Sequence, residues 1–458
     1  MTNVQTERTN QITEGVIWKQ LLIFFFPIFL GTLFQQLYNT VDVIVVGNLV
    51  GKEALAAVGG ATSTLINLMI GFFVGLSSGA TVIISQFFGA RKDREVGMAV
   101  HTAAAMALTF GALLTAAGLL FAPTFLQWMD TPADVLPYAA AYLRIYFIGM
   151  IPSLIYNIGS GVLRAVGDSR RPLYFLMASC MTNIVLDLVF VAWLRLGVQG
   201  VALATILSQT VSASLVIFTL RRTRDSYRLY PSRIRFHVEL LGRIIRIGLP
   251  AGLQSVMYAS TNVMIQTAIN SFGTDVIAGW TAYGKVDLLF WSIVNAFSIS
   301  ITTFVGQNFG ARRYDRIHKS VRQCLAMTIF TTLSISAVLW GFGESLYHLF
   351  TNEEAVIEQG MYMLRLLVPT YITYICLDIL SGAVRGAGDT LIPTLMTLVG
   401  VCMLRVLWLT FFVPTHNTLF YVLISYPITW LITSIAFIVY YLQGGWLRRC
   451  TRKAGFTV

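Results

Sequence analysis

The sequence predicts an all-α integral membrane protein, with twelve transmembrane helices arranged as two parallel six-helix repeats. Two observations predict it. The first is composition: 56% of the 458 residues are hydrophobic and 12% are charged, with a mean hydropathy of +0.71, whereas an ordinary soluble domain carries about twice that charge. The second is repetition. Ser85-Gln-Phe-Phe-Gly-Ala-Arg91 recurs as Gly306-Gln-Asn-Phe-Gly-Ala-Arg312, and Leu163-Arg-Ala-Val-Gly-Asp168 as Val384-Arg-Gly-Ala-Gly-Asp389, each displaced by 221 residues. Arg144 and Arg365 keep that displacement, as do Pro172 and Pro393, while Pro27 and Asn39 find Pro250 and Asn262 at 223.

Apolar stretches of about 20 residues or more are long enough to cross the hydrocarbon. In the first half they run near 18 to 46, 54 to 86, 97 to 121, 137 to 162, 172 to 194 and 198 to 220. In the second they run near 244 to 270, 276 to 307, 319 to 342, 359 to 384, 391 to 413 and 419 to 442. Six spans per copy make the copies parallel, and duplicated bundles of this kind place a substrate site at the repeat interface. The expected lobes are 1–225 and 226–458.

The first span carries Gly31, Gln35, Asn39 and Asp42 at i, i+4, i+8 and i+11, one helical face. Pro27 removes a backbone hydrogen bond half a membrane away and lets that helix bend. The second and fourth spans end in the repeated Gly-Ala-Arg and Gly-Asp loops. There glycine is expected to make the tight turn, and Asp168 or Ser169, with Asp389 or Thr390, to cap the helices that carry Pro172 and Pro393. The fifth span holds Asn183 and Asp187 one turn apart, and the sixth holds Thr205, Ser208, Gln209 and Ser212.

The residues that break the copy are the informative ones. Asp42 aligns with Ile265, Asn183 with Leu404, Asp187 with Trp408 and Thr205 with Tyr426, so this polar set belongs to the first half alone. Ionisable groups inside spans are costly and mark ion or substrate pathways. Asp42, Asn183, Asp187 and Thr205 are therefore the candidate ion-coupling set. The second half has Lys285 and Asp287 in its second span, Asp378 in its fourth and Arg405 in its fifth. Equal numbers of opposite charges predict an internal ion-pair network, with Lys285 also a candidate for sensing ions or repelling substrate. Gln35, Tyr38, Asn39, Tyr258, Lys285 and Asp378 are the substrate-pathway candidates, and Phe34, Tyr38, Met257, Tyr258 and Met264 could form a lining that repacks around different shapes.

The net charge of +11 reads as a topology signal. Twenty-six of the thirty-two Lys and Arg, from Arg8 to Lys453, fall in loops and ends on one side of this arrangement, the cytoplasmic side by the rule that retains basic loops. Both termini are expected inside, in the plasma membrane of a prokaryote. The arginine-rich link near 221 to 246 could lie on anionic lipid, since Phe236, Leu240, Leu241 and Ile244 form an apolar stripe. Charge so dispersed is no nucleic-acid footprint. The five cysteines lack paired or metal-ligand spacing, the five histidines avoid mid-span positions, and no phosphate-binding loop for nucleotide hydrolysis occurs. Energy must then come from an ion gradient; no cofactor and no enzymatic activity are expected.

At these residues the chain resembles a multidrug and toxic compound extrusion (MATE) transporter. The likeness covers nearly the whole chain: twelve spans, two six-helix lobes, Gln-x-x-Gly-Ala-Arg loops after spans two and eight, and Arg-x-x-Gly-Asp loops after spans four and ten. Asp42, Asn183, Asp187 and Thr205 resemble the amino-terminal cation site of the prokaryotic branch related to the DNA-damage-inducible protein F. That resemblance implies a proton or sodium ion bound by the two aspartates, bending of the first helix at Pro27, and export of organic cations. The chain departs from the branch named after the norfloxacin pumps, because its seventh span has no acid between Ile247 and Asn270 and Asp378 lies closer to its Arg-Gly loop. The expected function is cation-coupled (H⁺ or Na⁺) multidrug antiport by a monomer among membrane lipids, the Na⁺ alternative sitting at Asp42 and Asp187. A flippase for lipid-linked sugars or peptidoglycan precursor is the rival, kept open by Lys285 and Arg405.

Overall fold

A computed structural model describes residues 10–129, 131–348, 351–416 and 418–453; Arg8 and both chain ends, assigned to the inside by charge, lie outside them. Every regular element among the described residues is helical, as a bilayer solvent requires of a chain that must satisfy its own backbone. The elements are α1 (Gln11–Glu14), α2 (Ile17–Leu49), α3 (Lys52–Gly59), α4 (Ala61–Gly89), α5 (Asp93–Trp128), α6 (Leu136–Ile148), α7 (Met150–Ala165), α8 (Arg170–Asp187), α9 (Gly197–Arg222) and α10 (Val238–Asn270). There follow α11 (Thr274–Gly310), α12 (Tyr314–Tyr347), α13 (Glu354–Leu367), α14 (Ile372–Gly386), α15 (Leu391–Thr397), α16 (Leu404–Phe411), α17 (Val413–His416), α18 (Leu419–Leu423), α19 (Ser425–Leu442) and α20 (Gly445–Lys453).

Among the described residues nine helices are long and apolar enough to cross a membrane, and two bent pairs raise the number to eleven. The remaining predicted span, the seventh, is α10, whose 33 residues reach about 50 Å at 1.5 Å each although Gln254, Ser255, Ser260, Thr261 and Asn262 dilute its apolar character. The bends were not visible in hydropathy. The fourth predicted span is α6 and α7, meeting at 49° around Gly149; the tenth is α13 and α14, meeting at 52° across Val368–Thr370. Pro152 and Pro369 sit at these breaks, where each lacks an N–H and disfavours helix in the residue before it.

Packing divides the chain into two compact units. One comprises Phe26–Phe88 with Lys92–Val256; the other comprises the chain up to Phe25, Gly89–Arg91 and the chain from Met257 onward. The boundaries of these units fall inside α2, beside Pro27, and inside α10, with Gly89–Arg91 at the end of α4 counted to the second. In the first unit Ile84, Leu143, Leu163, Val201 and Val216 are fully buried, and in the second Phe304, Leu364 and Ile375 are.

Glycines let two helices of the first unit touch backbone to backbone. A Cβ on Gly75 would lie 2.5 Å from the Gly252 nitrogen, one on Gly79 would lie 2.3 Å from the Ile244 oxygen, and one on Gly248 would lie 2.2 Å from the Leu76 oxygen. Small residues four apart on α4 and on α10 thus form the close crossing typical of membrane helices, which gain most from van der Waals contact.

The repeated loops require a correction. In the Gly-Ala-Arg loops the left-handed residue is the arginine, Arg91 at φ 55° and Arg312 at φ 57°, not the glycine. Each occupies the helix-ending position whose successor bonds back five residues, Lys92 N–H to the Phe87 carbonyl at 3.0 Å and Arg313 N–H to the Asn308 carbonyl at 2.8 Å, a turn that glycine usually fills. Gly89 is held small by approach instead: a Cβ there would lie 2.0 Å from the Gln307 carbonyl oxygen. In the Gly-Asp loops glycine does take the turn, Gly167 at φ 96° and Gly388 at φ 98°.

Asp168 caps α8, its Oδ1 accepting from the Arg170 and Arg171 amides at 3.1 Å each. Asp168→Ala is expected to cost about 1 kcal/mol, read as an earlier thermal transition of the detergent-solubilised protein. Its counterpart Asp389 is buried and takes the Tyr440 hydroxyl at 3.2 Å and the Arg449 guanidinium at 3.6 Å, which ties α20 down.

Both Gly-Ala-Arg loops also grip α1. Arg313 donates to the Thr13 carbonyl at 2.8 Å, Arg316 to those of Ile12 and Gly15 at 3.1 and 2.8 Å, Asn10 to Gln307 at 3.0 Å, and Arg91 pairs with Glu14 at 3.3 Å.

The link between α9 and α10 is pinned to α5 by two histidines. His101 Nδ1 donates to the Gly97 carbonyl at 2.6 Å, leaving Nε2 to accept the Tyr230 amide at 3.1 Å. Thr102 donates to the Met98 carbonyl at 2.9 Å, so His237 Nδ1 donates to the Thr102 hydroxyl at 3.0 Å, and its Nε2 accepts from Arg235 at 3.4 Å. These partners require neutral rings. Burial, then Arg235 and His101, hold the His237 pKa below its ordinary 6.5. The unfolded link therefore binds more protons near that pH; the His237 contribution is present above 6.5 and is lost as pH falls toward the folded value. Amide exchange in residues 228–237, corrected for intrinsic chemistry, is expected to accelerate between pH 7.5 and 5.5. Equal protection at both would contradict it.

Candidate ion-coupling site

Helix α2 brings Asp42 into the first unit on the same narrow face as Gly31 and Tyr38, while Gln35 and Asn39, on the shoulder of that face, have exposed side chains. The predicted stripe is thus split, its inner part buried and its edge open. Helix α8 supplies Asn183 and, at its last residue, Asp187, after which the chain widens into a π-helical stretch, Leu188–Trp193. Wide turns of this kind recur at functional sites. Helix α9 supplies Thr205, and Ser179 donating to the Ser208 carbonyl at 2.7 Å ties α8 to α9.

These elements bury all four members of the coupling set: Asp42 is 7% exposed, Thr205 2%, and Asn183 and Asp187 0%. The Asp42 and Asp187 carboxyls are near enough to feel each other's charge, and the Asn183 amide sits beside Asp42. Thr205, Ser208 and Ser212 donate their hydroxyl protons to carbonyls of their own helix, a local satisfaction common for such residues. The acids have no such outlet. Asp42 Oδ1, both carboxyl oxygens of Asp187, the amide oxygen and nitrogen of Asn183 and the Tyr38 hydroxyl are buried without a hydrogen-bond partner among the described residues. Leaving a buried polar group unpaired costs about 1–3 kcal/mol, and more when it is charged. Chemically, the arrangement offers hard oxygen donors for a monovalent cation, or two carboxyls able to share a proton.

Two tyrosines were missed in the sequence. Tyr142 and Tyr146, one turn apart on α6, are 5% and 8% exposed, stack at 6.0 Å and come under the influence of the Asp42 charge. At 221 residues' displacement they become Met363 and Leu367, so the copy-breaking test that singled out Asp42 would have found them too.

In the second unit the expected ion-pair network is not formed. Asp287 accepts from Trp291 Nε1 at 2.6 Å and from the Tyr371 hydroxyl. Arg405 donates to Thr429 at 2.9 Å and lies 4.1 Å over the Tyr426 ring, and the Lys285 side chain is exposed. Aromatic rings and hydroxyls replaced the counter-ions: Phe290 stacks on Tyr371 at 3.9 Å, and Trp291, Tyr374, Tyr426 and Trp430 interlock at 4.8 to 6.0 Å. Quadrupolar faces stabilise a guanidinium without an acid. Asp378 is half-buried within reach of Ser298 and of the Arg385 charge, and its charge is felt by Tyr258, whose buried hydroxyl has no partner. Tyr258, Lys285 and Asp378 all belong to this second unit, apart from the Asp42 cluster. Pro27 does not break α2, which runs unbroken from Ile17 to Leu49.

The family model described as MatE matches this chain twice, over residues 27–189 and 250–409. The chain belongs to the MatE family. The two matches begin at Pro27 and Pro250 and reproduce the internal duplication. Among curated relatives of this MatE chain, the probable multidrug resistance protein YpnP of Bacillus subtilis (strain 168) is 30% identical over 395 residues, 86% of this chain and 88% of that protein. Solved MATE structures share the fold. One titled as the bent conformation has a TM-score of 0.89 at 23% identity, covering 98% of this chain and all of the other; one titled as the straight conformation has 0.88 at 24%, covering 97% and all. This MatE protein is therefore a multi-span membrane transporter of a multidrug efflux family, built from α-helices.

Proposed function

We propose that the protein is a cation-coupled antiporter that exports organic cations and other amphipathic compounds, with H⁺ or Na⁺ entering at Asp42, Asp187, Asn183 and Thr205. The observation that carries this reading is the pair of buried carboxyls of which Asp42 Oδ1 and both Asp187 oxygens find no donor among the described residues. A proton or one monovalent cation relieves their repulsion, and an organic cation that needs the same negative charge is then released; when the inorganic ion leaves, the organic one rebinds. Competition for one charge is sufficient coupling. Exchange of one monovalent cation for one proton moves no net charge, so membrane potential contributes nothing at that stoichiometry.

Gln35, Tyr38, Asn39, Tyr258, Lys285 and Asp378 are carried forward as the substrate path, and Pro27 as the place where α2 bends as the cycle turns. Solved MATE structures are titled in a straight and in a bent conformation, which supports a fold with more than one shape. The lobes 1–225 and 226–458 would rock in alternating access. The protein acts as a monomer, without a cofactor and not as an enzyme, in a prokaryotic plasma membrane with both ends inside. The coupling set also favours the branch related to the DNA-damage-inducible protein F.

The test loads purified protein into liposomes, imposes a pH gradient or a Na⁺ gradient separately, and follows ethidium. Flux driven by one gradient identifies the ion; flux driven by neither defeats the proposal, and movement of a lipid-linked pyrophosphate in its place would favour a flippase, for which Lys285 and Arg405 are the available cations.

A further inference from the structure

Outside the carboxylate cluster, the first unit contains a groove of about 210 Å³ between α5, α7 and α9, roofed by Leu229, Pro231 and Ile234 of the link. Its walls are aliphatic, with Ala104, Ile155 and Ile217 among them, and its single polar lining side chain is Arg221. The roof is fixed: the Leu229 amide donates to the Leu220 carbonyl at 2.9 Å and the Tyr230 amide to His101. In the same link, Arg228 and Arg233 each lie 4.9 Å from the Tyr230 ring centre. Arg221, Arg228 and Arg233 are exposed, and none has a carboxylate partner among the described residues.

We infer that this groove binds one anionic phospholipid of the inner leaflet, an acyl chain lying between α5, α7 and α9 and the phosphate on Arg221. Three features select that occupant. An aliphatic wall at the end of membrane-spanning helices matches a hydrocarbon tail. The exposed Arg221 guanidinium in its lining, without a carboxylate partner among the described residues, matches a phosphate, to which arginine bonds in bidentate fashion. The same charge repels the organic cations proposed for the carboxylate site, and free phosphate has no use for the walls. The site does not depend on the coupling proposal, because it shares no residue with it.

Native mass spectrometry of the full-length protein, titrated with phosphatidylglycerol or phosphatidylcholine, tests it. Wild type is expected to retain one phosphatidylglycerol in preference to phosphatidylcholine. Arg221→Gln should weaken that retention about fivefold, the factor one basic group near an anionic headgroup is worth; Arg221→Lys should restore most of it, and Ala104→Phe should remove it by filling the groove. Equal retention of the two lipids by wild type overturns the inference, as does retention unchanged in both Arg221→Gln and Ala104→Phe, or displacement of the lipid by ethidium. The headgroup comparison uses wild type, so a variant that fails to fold leaves the test standing.

Discussion

Asp187→Asn is expected to abolish gradient-driven ethidium export, by at least tenfold, while leaving the thermal transition unchanged or raised. The opposite movement of the two readouts is the point. Asn keeps the shape and removes a charge that is 0% exposed and has neither oxygen satisfied within the protein; a buried carboxylate so placed weakens the fold unless a proton or cation joins it. Asp42→Asn should behave likewise, with the residual flux of either variant insensitive to the gradient that drives wild type. A structural role for the pair would show the reverse pattern, lower stability with coupling intact, and would remove these aspartates from the mechanism. Tyr142→Phe gives the graded comparison: it alters the polar surroundings of the acids without touching their charge, and should slow export without uncoupling it.

Gly79→Leu is expected to eliminate folded protein, read as loss of the monodisperse species after solubilisation. The added Cβ alone would sit 2.3 Å from the Ile244 carbonyl oxygen and 2.7 Å from the Gly248 nitrogen, so α4 and α10 must separate along the whole crossing, at a cost of several kcal/mol. Gly242→Leu supplies the contrast. It lies on the same α10, nothing stands within 4 Å of its Cβ position, and it should be tolerated. If both variants fold equally well, tight apposition of these helices is not what holds the first unit together.

The spans and the duplication were legible because hydropathy and repetition are properties of the sequence itself, and the buried set of Asp42, Asn183, Asp187 and Thr205 stood out as a candidate site because those four polar residues break an otherwise kept copy. Side-chain satisfaction was not. The charges of Asp287 and Arg405 invited each other on paper, yet Tyr371, Trp291, Thr429 and Tyr426 took them, because aromatic donors and faces from several helices converge where sequence distance gives no hint. Backbone detail was hidden for a different reason. Gly149 and Pro369 are unremarkable in an apolar run, so the 49° and 52° bends were missed, and a glycine beside an arginine drew the turn to itself although Arg91 and Arg312 hold the left-handed position. The wide stretch after Asp187 has no sequence signature, and it leaves that acid as the last residue of a regular helix.

The grip on α1 has a consequence for how this chain tolerates change. Arg313 and Arg316 hold the carbonyls of Ile12, Thr13 and Gly15, groups that every amino acid supplies, so much of this short segment is free to drift in evolution without loosening it. Proline within Gln11–Glu14 is the exception, since it would reshape the turn that presents those oxygens. Homologues should therefore vary in the letters of this segment while preserving its outline, and the two guanidiniums that read the outline should vary far less.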